Sequence, residues 1–257
     1  MEYREIVLQL EEDLARITLN RPEKVNALSE RMIAELSHAL DEVAAGPARV
    51  LLLTAAGKHF CAGHLLDEMI DRGAADYHRI FRNCTAMMNR LRELPQPVVA
   101  AVQGVATAAG CQLVAAADLA VASQSARFAT PGVKIGLFCG TPAVPLVRAV
   151  GRKRALEMLL TGRFLSAQEA LEWGLVNRLA PADAYLEEAE KLARQIAQAS
   201  PLTLALGKKT FYDQVGRPEP EAYRLATTAM ALNLGMEDAQ EGIKAFLEKR
   251  SPRWRGR

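Results

Sequence analysis

Apolar and polar positions change their spacing along the chain, from strand-like runs to helical repeats. Residues 5–20 alternate with the period of a β-strand around an acidic turn, which predicts a β-hairpin. Residues 49–54 and 98–102 are short, almost continuously apolar runs, as in the buried strands of a parallel sheet. Apolar residues at helical spacing over 30–45 and 76–94 alternate with these runs. Strands that alternate with helices predict an α/β fold with parallel pairing.

Helical spacing dominates after residue 151. The earlier part still predicts a very apolar helix over 111–117 and short strands over 119–122 and 127–129. Six further helices are predicted, over 153–161, 167–173, 182–199, 202–215, 219–234 and 238–249. No Gly/Ser-rich linker separates the two parts, so we expect one continuous fold whose helical end makes an oligomer interface.

Composition and charge exclude several classes of protein. Half of the 257 residues are apolar and 24% are charged, which is typical of a folded globular chain. The net charge of +2 argues against a nucleic-acid partner, and the apolar runs are too short to span a membrane. The four histidines and four cysteines show no metal-ligand spacing, so we predict no metal site. The first 13 residues resemble neither a signal nor a transit peptide, so we expect a cytoplasmic protein.

Two segments rich in small residues carry the candidate chemistry. Residues 59–66 and 102–112 each follow a predicted buried strand, where ligands bind in parallel α/β sheets. The second segment also opens a helix, whose first N–H groups have no partner within the helix. One N–H group from each turn would suit a developing oxyanion. The alternative is that these small residues only allow a helix and a strand to pack closely.

These segments resemble the enoyl-CoA hydratase/isomerase family, also called the crotonase superfamily. The resemblance runs in order along nearly the whole chain and implies a crotonase-like spiral of ββα units over residues 1–195. A C-terminal helical trimerisation region would follow over residues 196–257. The segments at 106–115, 128–133 and 136–139 particularly resemble its mitochondrial enoyl-CoA hydratase domain-containing protein three branch and the bacterial relatives of that branch. The matching pieces lie at 20–28, 60–64, 104–112 with Asp118, 128–131 with Gly136, 161–162, 167–170, 174–176 and 241–250.

The resemblance implies an acyl-CoA thioester as ligand, in a lyase or isomerase of fatty acid metabolism. Coenzyme A would be part of the substrate, with no prosthetic group, and the assembly would be a homotrimer or a dimer of trimers. The backbone N–H groups of His64 and Ala109 would form the oxyanion hole for the thioester carbonyl. The coenzyme would be held by Lys24, Val25, Ala27, Ala62, His64, Leu65, Leu66, Phe246 and Lys249.

The chain departs from the family where hydratases carry two catalytic glutamates. Gln112 and Gly132 stand at those positions, and neither an amide nor a glycine transfers a proton near neutral pH. Cys139 and His78 are candidate replacements, although a buried thiol is usually unreactive and an ordinary surface histidine is the favoured interpretation of His78. Leu65 replaces a common aspartate, which changes local loop contacts.

Three hypotheses about the function follow from these residues. In the first, the protein is an enzyme that stabilises a thioester oxyanion or enolate, as in decarboxylation or thioester cleavage. In the second, it is a non-catalytic acyl-CoA binder or scaffold. In the third, it is a hydratase that uses His78, or Gln112 with a water molecule, in place of the glutamates.

Overall fold

The structure is a computed structural model, and it describes residues 1–256. The strands of this region are β1 Ile6–Leu10, β2 Leu14–Leu19, β3 Val50–Ala55, β4 Val98–Val102, β5 Val105–Thr107, β6 Leu119–Ser123, β7 Arg127–Ala129, β8 Leu165–Ser166 and β9 Arg178–Ala180. The α-helices are α1 Glu30–Ala45, α2 Ala74–Glu93, α3 Ala109–Ala116, α4 Gly140–Val150, α5 Arg152–Thr161, α6 Ala167–Trp173, α7 Tyr185–Ala197, α8 Pro201–Gln214, α9 Glu219–Leu234 and α10 Glu237–Leu247.

Two sheets form the core. The larger sheet has the order β1-β2-β3-β4-β6-β9, and the smaller has the order β5-β7-β8. The predicted hairpin β1–β2 is antiparallel, whereas every later pair in the large sheet is parallel. From β4 onward the chain passes repeatedly between the two sheets, and this arrangement confirms the predicted α/β spiral.

The central strands are buried on both faces, as their apolar runs predict. One face of the large sheet packs under α7, with Leu52, Val99 and Val121 against Ala189 and Ala193. The alternate residues of the same strands enter the main core beneath α1 and α2. Because successive side chains of a strand point to opposite faces, a strand between two helical layers needs apolar residues at every position.

Two details of the sequence interpretation differ from the structure. No helix was predicted between residues 130 and 150, but the segment 137–142 leads into α4, which begins at Gly140 and contains Pro145. Glycine and proline disfavour helices, so the sequence pattern did not predict α4. The alternation of residues 5–20 places Leu10 on the same face as Ile6, but Ile6 is buried and Leu10 is 47% exposed at the end of β1.

The helices α8, α9 and α10 form the C-terminal region. Helices α8 and α9 pack on each other, and neither has a fully buried residue in the single chain. The division at residues 195 and 196 stays a prediction; it falls in the last turn of α7. None of the helices within residues 1–256 combines the length and hydropathy needed to cross a membrane.

Candidate active site

The two small-residue segments lie against each other, as their positions after neighbouring strands predict. Cys61 pairs with Ala106 through an isolated parallel bridge, and the Thr107 N–H donates to the Cys61 carbonyl at 2.9 Å. The Thr107 hydroxyl adds a 3.0 Å hydrogen bond to the Ala62 carbonyl. A Cβ atom on Gly110 would lie only 2.1 Å from the Cys61 oxygen, so the contact requires glycine. The small residues therefore bring the backbones of the two turns together.

Two backbone N–H groups remain free at this junction. Leu28 pairs with His64 through hydrogen bonds to Gly63 and from Leu65, which leaves the N–H of His64 out of the pairing. Ala109 is the first residue of α3, so its N–H has no helical acceptor. Within residues 1–256, neither N–H donates to a protein acceptor. A Cβ on Gly63 would lie 3.3 Å from Ala109 N, which shows how closely the turns approach.

Ala108 holds the second turn in a conformation that L-residues rarely adopt. Its φ is 49° and its ψ is −117°, and its N–H donates to the Ala129 carbonyl at 2.9 Å. Strain of this kind costs on the order of 1–3 kcal/mol and is kept where the surrounding structure enforces it. The sequence analysis missed Ala108, because an alanine carries no signal of positive φ.

Gln112 lies one helical turn after Ala109 and lines a cavity of about 660 Å³. Its side chain is almost completely buried, and its Oε1 atom has no partner within residues 1–256. A buried amide without a partner is unfavourable. A ligand or a water molecule in the cavity would satisfy it.

Gly132 lies in a space that is too small for any side chain. A Cβ at this position would be 2.2 Å from the Leu137 carbonyl oxygen and 2.7 Å from Cys139 Sγ. Burial raises the pKa of the Cys139 thiol, so the thiol stays protonated near neutral pH. Nearby Thr130 is fully buried, and its hydroxyl has no partner among the described residues.

The two candidate histidines lie in different surroundings. The His64 ring packs edge-on against Phe81 of α2, with ring centroids 5.3 Å apart. Burial lowers the pKa of His64 to about 4, so the ring is neutral at pH 7, and its buried Nε2 atom has no partner within residues 1–256. His78 lies one turn before Phe81 on α2 and is exposed. The structure does not place His78 at the junction of the two small-residue turns.

The loop of Lys24, Val25 and Ala27 lies beside the first turn. The Val25 carbonyl accepts a 3.0 Å hydrogen bond from Ala62 N, and Lys24 pairs with Asp67 at 3.6 Å. Asn26, which the sequence analysis did not single out, is fully buried and donates to the Ala56 and His59 carbonyls at 2.9 Å. Its side chain fixes the loop.

The remaining predicted coenzyme contacts lie in two separate segments of the chain. Leu65 and Leu66 follow His64, and Leu66 is half exposed. Phe246 is 82% exposed on α10, which packs on α8 and α9. Within residues 1–256, neither Phe246 nor Lys249 shares a hydrogen bond or ion pair with the Lys24 loop.

Comparison with known proteins shows the same fold over the whole chain. A crystal structure of human enoyl coenzyme A hydratase domain-containing protein 3 superposes with a TM-score of 0.95 at 45% identity, covering 98% of this chain and 100% of that one. An enoyl-CoA hydratase structure from Mycobacterium smegmatis also gives 0.95, at 46% identity, covering 98% and 99%. Among curated proteins, the mitochondrial enoyl-CoA hydratase domain-containing protein 3 of Xenopus laevis is 48% identical over 250 residues, 96% of this chain and 85% of the relative.

The expectation of a cytoplasmic protein is wrong by this comparison, because the vertebrate relatives are named as mitochondrial. That expectation rested on the first 13 residues alone, and the start of a sequence does not determine the compartment.

The family model for enoyl-CoA hydratase/isomerase matches residues 9–257. Together with identities near 48% to relatives over almost the full chain, this match shows that the chain belongs to the enoyl-CoA hydratase/isomerase family.

Proposed function

We propose that this chain binds an acyl-CoA thioester and polarises its carbonyl with the backbone N–H groups of His64 and Ala109. The observation that carries the proposal is the pair of free N–H groups on two turns that contact each other. Preorganised donors of this kind stabilise the negative charge that develops on a thioester oxygen, and one such donor typically contributes about 10²–10³-fold in rate. The side chain of His64 is not required for this role.

The reaction we propose relies on the oxyanion hole and not on side-chain proton transfer. Gln112 and Gly132 replace the family's two glutamates, and the Cys139 thiol is held protonated by burial. Loss of one general acid or base typically removes about 10²–10⁴-fold in rate. Decarboxylation or thioester cleavage through a stabilised enolate or oxyanion therefore suits the site better than hydration.

The coenzyme part of the substrate would lie along the loop of Lys24, Val25 and Ala27 and the turn from Ala62 to Leu66. The hydrogen bond from Ala62 to Val25 joins these segments into one surface. Phe246 and Lys249 would reach this surface from a neighbouring chain. Coenzyme A enters as part of the substrate, and no prosthetic group is needed for this chemistry.

We infer a homotrimer or a dimer of trimers from the resemblance to the family, and the exposed apolar side chains of the C-terminal helices support an interface there. Large exposed apolar patches mark interfaces. The exposed side chains on α8, α9 and α10 include Phe211, Val215, Met230, Leu232, Leu234 and Phe246. Sedimentation equilibrium should give three or six times the chain mass of 28.0 kDa, and a stable monomer would contradict the inference.

A non-catalytic acyl-CoA binder is the second candidate. It is favoured by the absence of an ionisable replacement at positions 112 and 132. A hydratase with substitute acids ranks below both, because His78 is exposed and the His64 ring is a weak base.

The deciding experiment combines binding with turnover. The purified protein is titrated with a panel of acyl-CoAs by calorimetry, and each mixture is followed by mass spectrometry and absorbance. Saturable binding with a changed mass would identify an enzyme and its reaction, while binding without chemistry would favour the binder. Hydration of crotonyl-CoA at an ordinary enzymatic rate, about 1–10³ s⁻¹, would contradict both, and no binding at all would contradict the proposal itself.

A further inference from the structure

Three helices, α2, α3 and α4, line one cavity, and each passes or begins close to the residues of the site. Ala109 begins α3, Phe81 of α2 packs on His64, and Cys139 precedes α4 beside Gly132. The cavity of about 660 Å³ lies between these helices, and α8 closes its far end with Phe211, Tyr212 and Val215. An acyl chain attached to a thioester at Ala109 would enter this cavity beside Gln112.

The cavity changes character along its length. Its middle is apolar, with Met88, Val114, Val144 and Leu175 among the lining side chains, which suits methylene groups. The far end carries Arg92 on the last turn of α2, about 10 Å beyond Thr85 at 1.5 Å per helical residue. Arg148 lies on the last turn of α4, about 12 Å from the start of that helix.

These two arginines form a positive rim. The Arg148 guanidinium donates to the Val144 carbonyl at 2.7 Å, so it leans back along α4. The Arg92 guanidinium lies 5.9 Å from the centre of the Tyr212 ring. Within residues 1–256, neither guanidinium has a carboxylate within ion-pair distance.

Among residues 1–256, Asp118 is the acidic side chain that lines the cavity, and its charge is already neutralised. Asp118 pairs with Lys208 at 2.7 Å and accepts hydrogen bonds from the Tyr212 hydroxyl and Val98 N. The charges of Asp118 and Lys208 cancel, which leaves Arg92 and Arg148 as a net positive charge at the far end. An apolar passage that ends at two unpaired guanidiniums fits a chain with an anionic end, because arginine binds carboxylates through paired N–H groups.

We propose that the acyl group of the substrate ends in a carboxylate, which Arg92 and Arg148 bind, while its methylene groups fill the apolar middle of the cavity. This inference rests on the proposed function, since it takes the cavity as the acyl site. The distance along α2 from Thr85 to Arg92, about 10 Å, corresponds to a chain of medium length. The buried amide of Gln112 would then contact the acyl group near the thioester.

The test compares two acyl chains of equal length on the intact protein. Suberyl-CoA has eight acyl carbons and a terminal carboxylate, and octanoyl-CoA has eight without one. Calorimetry should show suberyl-CoA bound at least about tenfold more tightly, since a hydrogen bond to a charged group is strong. Equal affinities, or tighter octanoyl-CoA, would overturn this inference but leave the proposed function standing. If suberyl-CoA, octanoyl-CoA and acetyl-CoA all fail to bind, the result would overturn this inference and the proposed function together.

Variants locate the preference. Arg92→Gln and Arg148→Gln should each reduce the suberyl preference several-fold and leave octanoyl-CoA binding unchanged. Arg152→Gln is the matched control, since Arg152 is exposed on the next helix and does not line the cavity. A preference that persists in the Arg92→Gln, Arg148→Gln double variant would contradict the assignment of the carboxylate to these residues. The comparison of suberyl-CoA with octanoyl-CoA on the wild-type protein tests the inference by itself. It therefore remains decisive even if a variant fails to fold.

Discussion

The Leu137 carbonyl oxygen occupies the space that a side chain on Gly132 would need. The Cβ position of residue 132 lies 2.2 Å from this oxygen. The resemblance implies a glutamate at position 132 in the family's hydratases, and here the backbone after Gly136 closes over the space that its side chain would need.

Replacement of Gly132 by alanine should destabilise the fold. The added methyl overlaps Leu137 and Cys139, and overpacking of a buried site typically costs about 1–3 kcal/mol. Gly140→Ala is the matched control, because a Cβ there meets nothing within 4 Å and alanine favours the helix that Gly140 begins. Urea unfolding midpoints at one protein concentration should fall for Gly132→Ala and stay or rise for Gly140→Ala. Equal midpoints would show that the 137–139 loop moves aside.

The same contact predicts that restoring both glutamates will not restore a hydratase. Gln112→Glu places a carboxylate in the cavity, but Gly132→Glu must displace the Leu137 carbonyl first. Crotonyl-CoA turnover by the double variant should stay near that of Gln112→Glu alone. Strong hydration by the double variant would show that the pocket lacks only its acids.

Gly63→Ala should weaken acyl-CoA binding more than it weakens the fold. Gly63 has a φ of 98°, and a Cβ on it would meet Ala108 Cβ at 2.8 Å and press toward Ala109 N. The two turns must separate, so the N–H pair loses its spacing. Gly136→Ala carries a similar backbone penalty at a φ of 77° with open space around it. Calorimetry with acetyl-CoA should show a loss of affinity for Gly63→Ala and none for Gly136→Ala. An equal loss in the two variants would mean that backbone strain, and not the spacing of the N–H pair, causes the effect.

The sequence predicted the fold more completely than the details of the site. Continuous apolar runs predicted β3 and β4, because a strand buried on both faces admits few other residues. Small residues at 63 and 110 predicted a close approach of two turns, and the structure shows that approach. The strained φ of Ala108 and the closed space at Gly132 were not predictable, because each depends on a distant segment that folds against it.

Lys208→Met should be strongly destabilising. The Lys208 ammonium is buried, pairs with Asp118 and donates to the Leu91 and Gln96 carbonyls at 2.8 and 3.0 Å. Burial lowers the pKa of Lys208, while Asp118 opposes that shift. Removal of one partner from a buried ion pair leaves the other uncompensated, typically at a cost of about 3–5 kcal/mol.

The adjacent lysine on α8 provides the control for this variant. Lys209 is exposed and pairs with Asp213 one turn away, and such surface pairs contribute about 0–1 kcal/mol. Lys209→Met should therefore leave the unfolding midpoint almost unchanged. Similar midpoints for the Lys208 and Lys209 variants would mean that α8 is held to the core by apolar contacts alone.

The buried His64 ring should make stability depend on pH below neutrality. Its folded pKa of about 4 lies below the unfolded value of about 6.5. Between these values, the unfolded chain binds a proton that the folded chain does not, so stability is lost as the pH falls through this window. The loss attributable to His64 is on the order of 3 kcal/mol, and His64→Ala should flatten the profile between pH 4 and 6.5.

His64→Ala also separates the ring from the backbone of the same residue. Alanine keeps the N–H that we assign to the thioester oxygen, so acetyl-CoA affinity at pH 7 should change little. His78→Ala controls for the removal of a histidine from the site's vicinity and should retain the pH slope, because His78 is exposed on α2. A large loss of affinity in His64→Ala, with the unfolding midpoint at pH 7 unchanged, would assign the ligand contact to the imidazole instead.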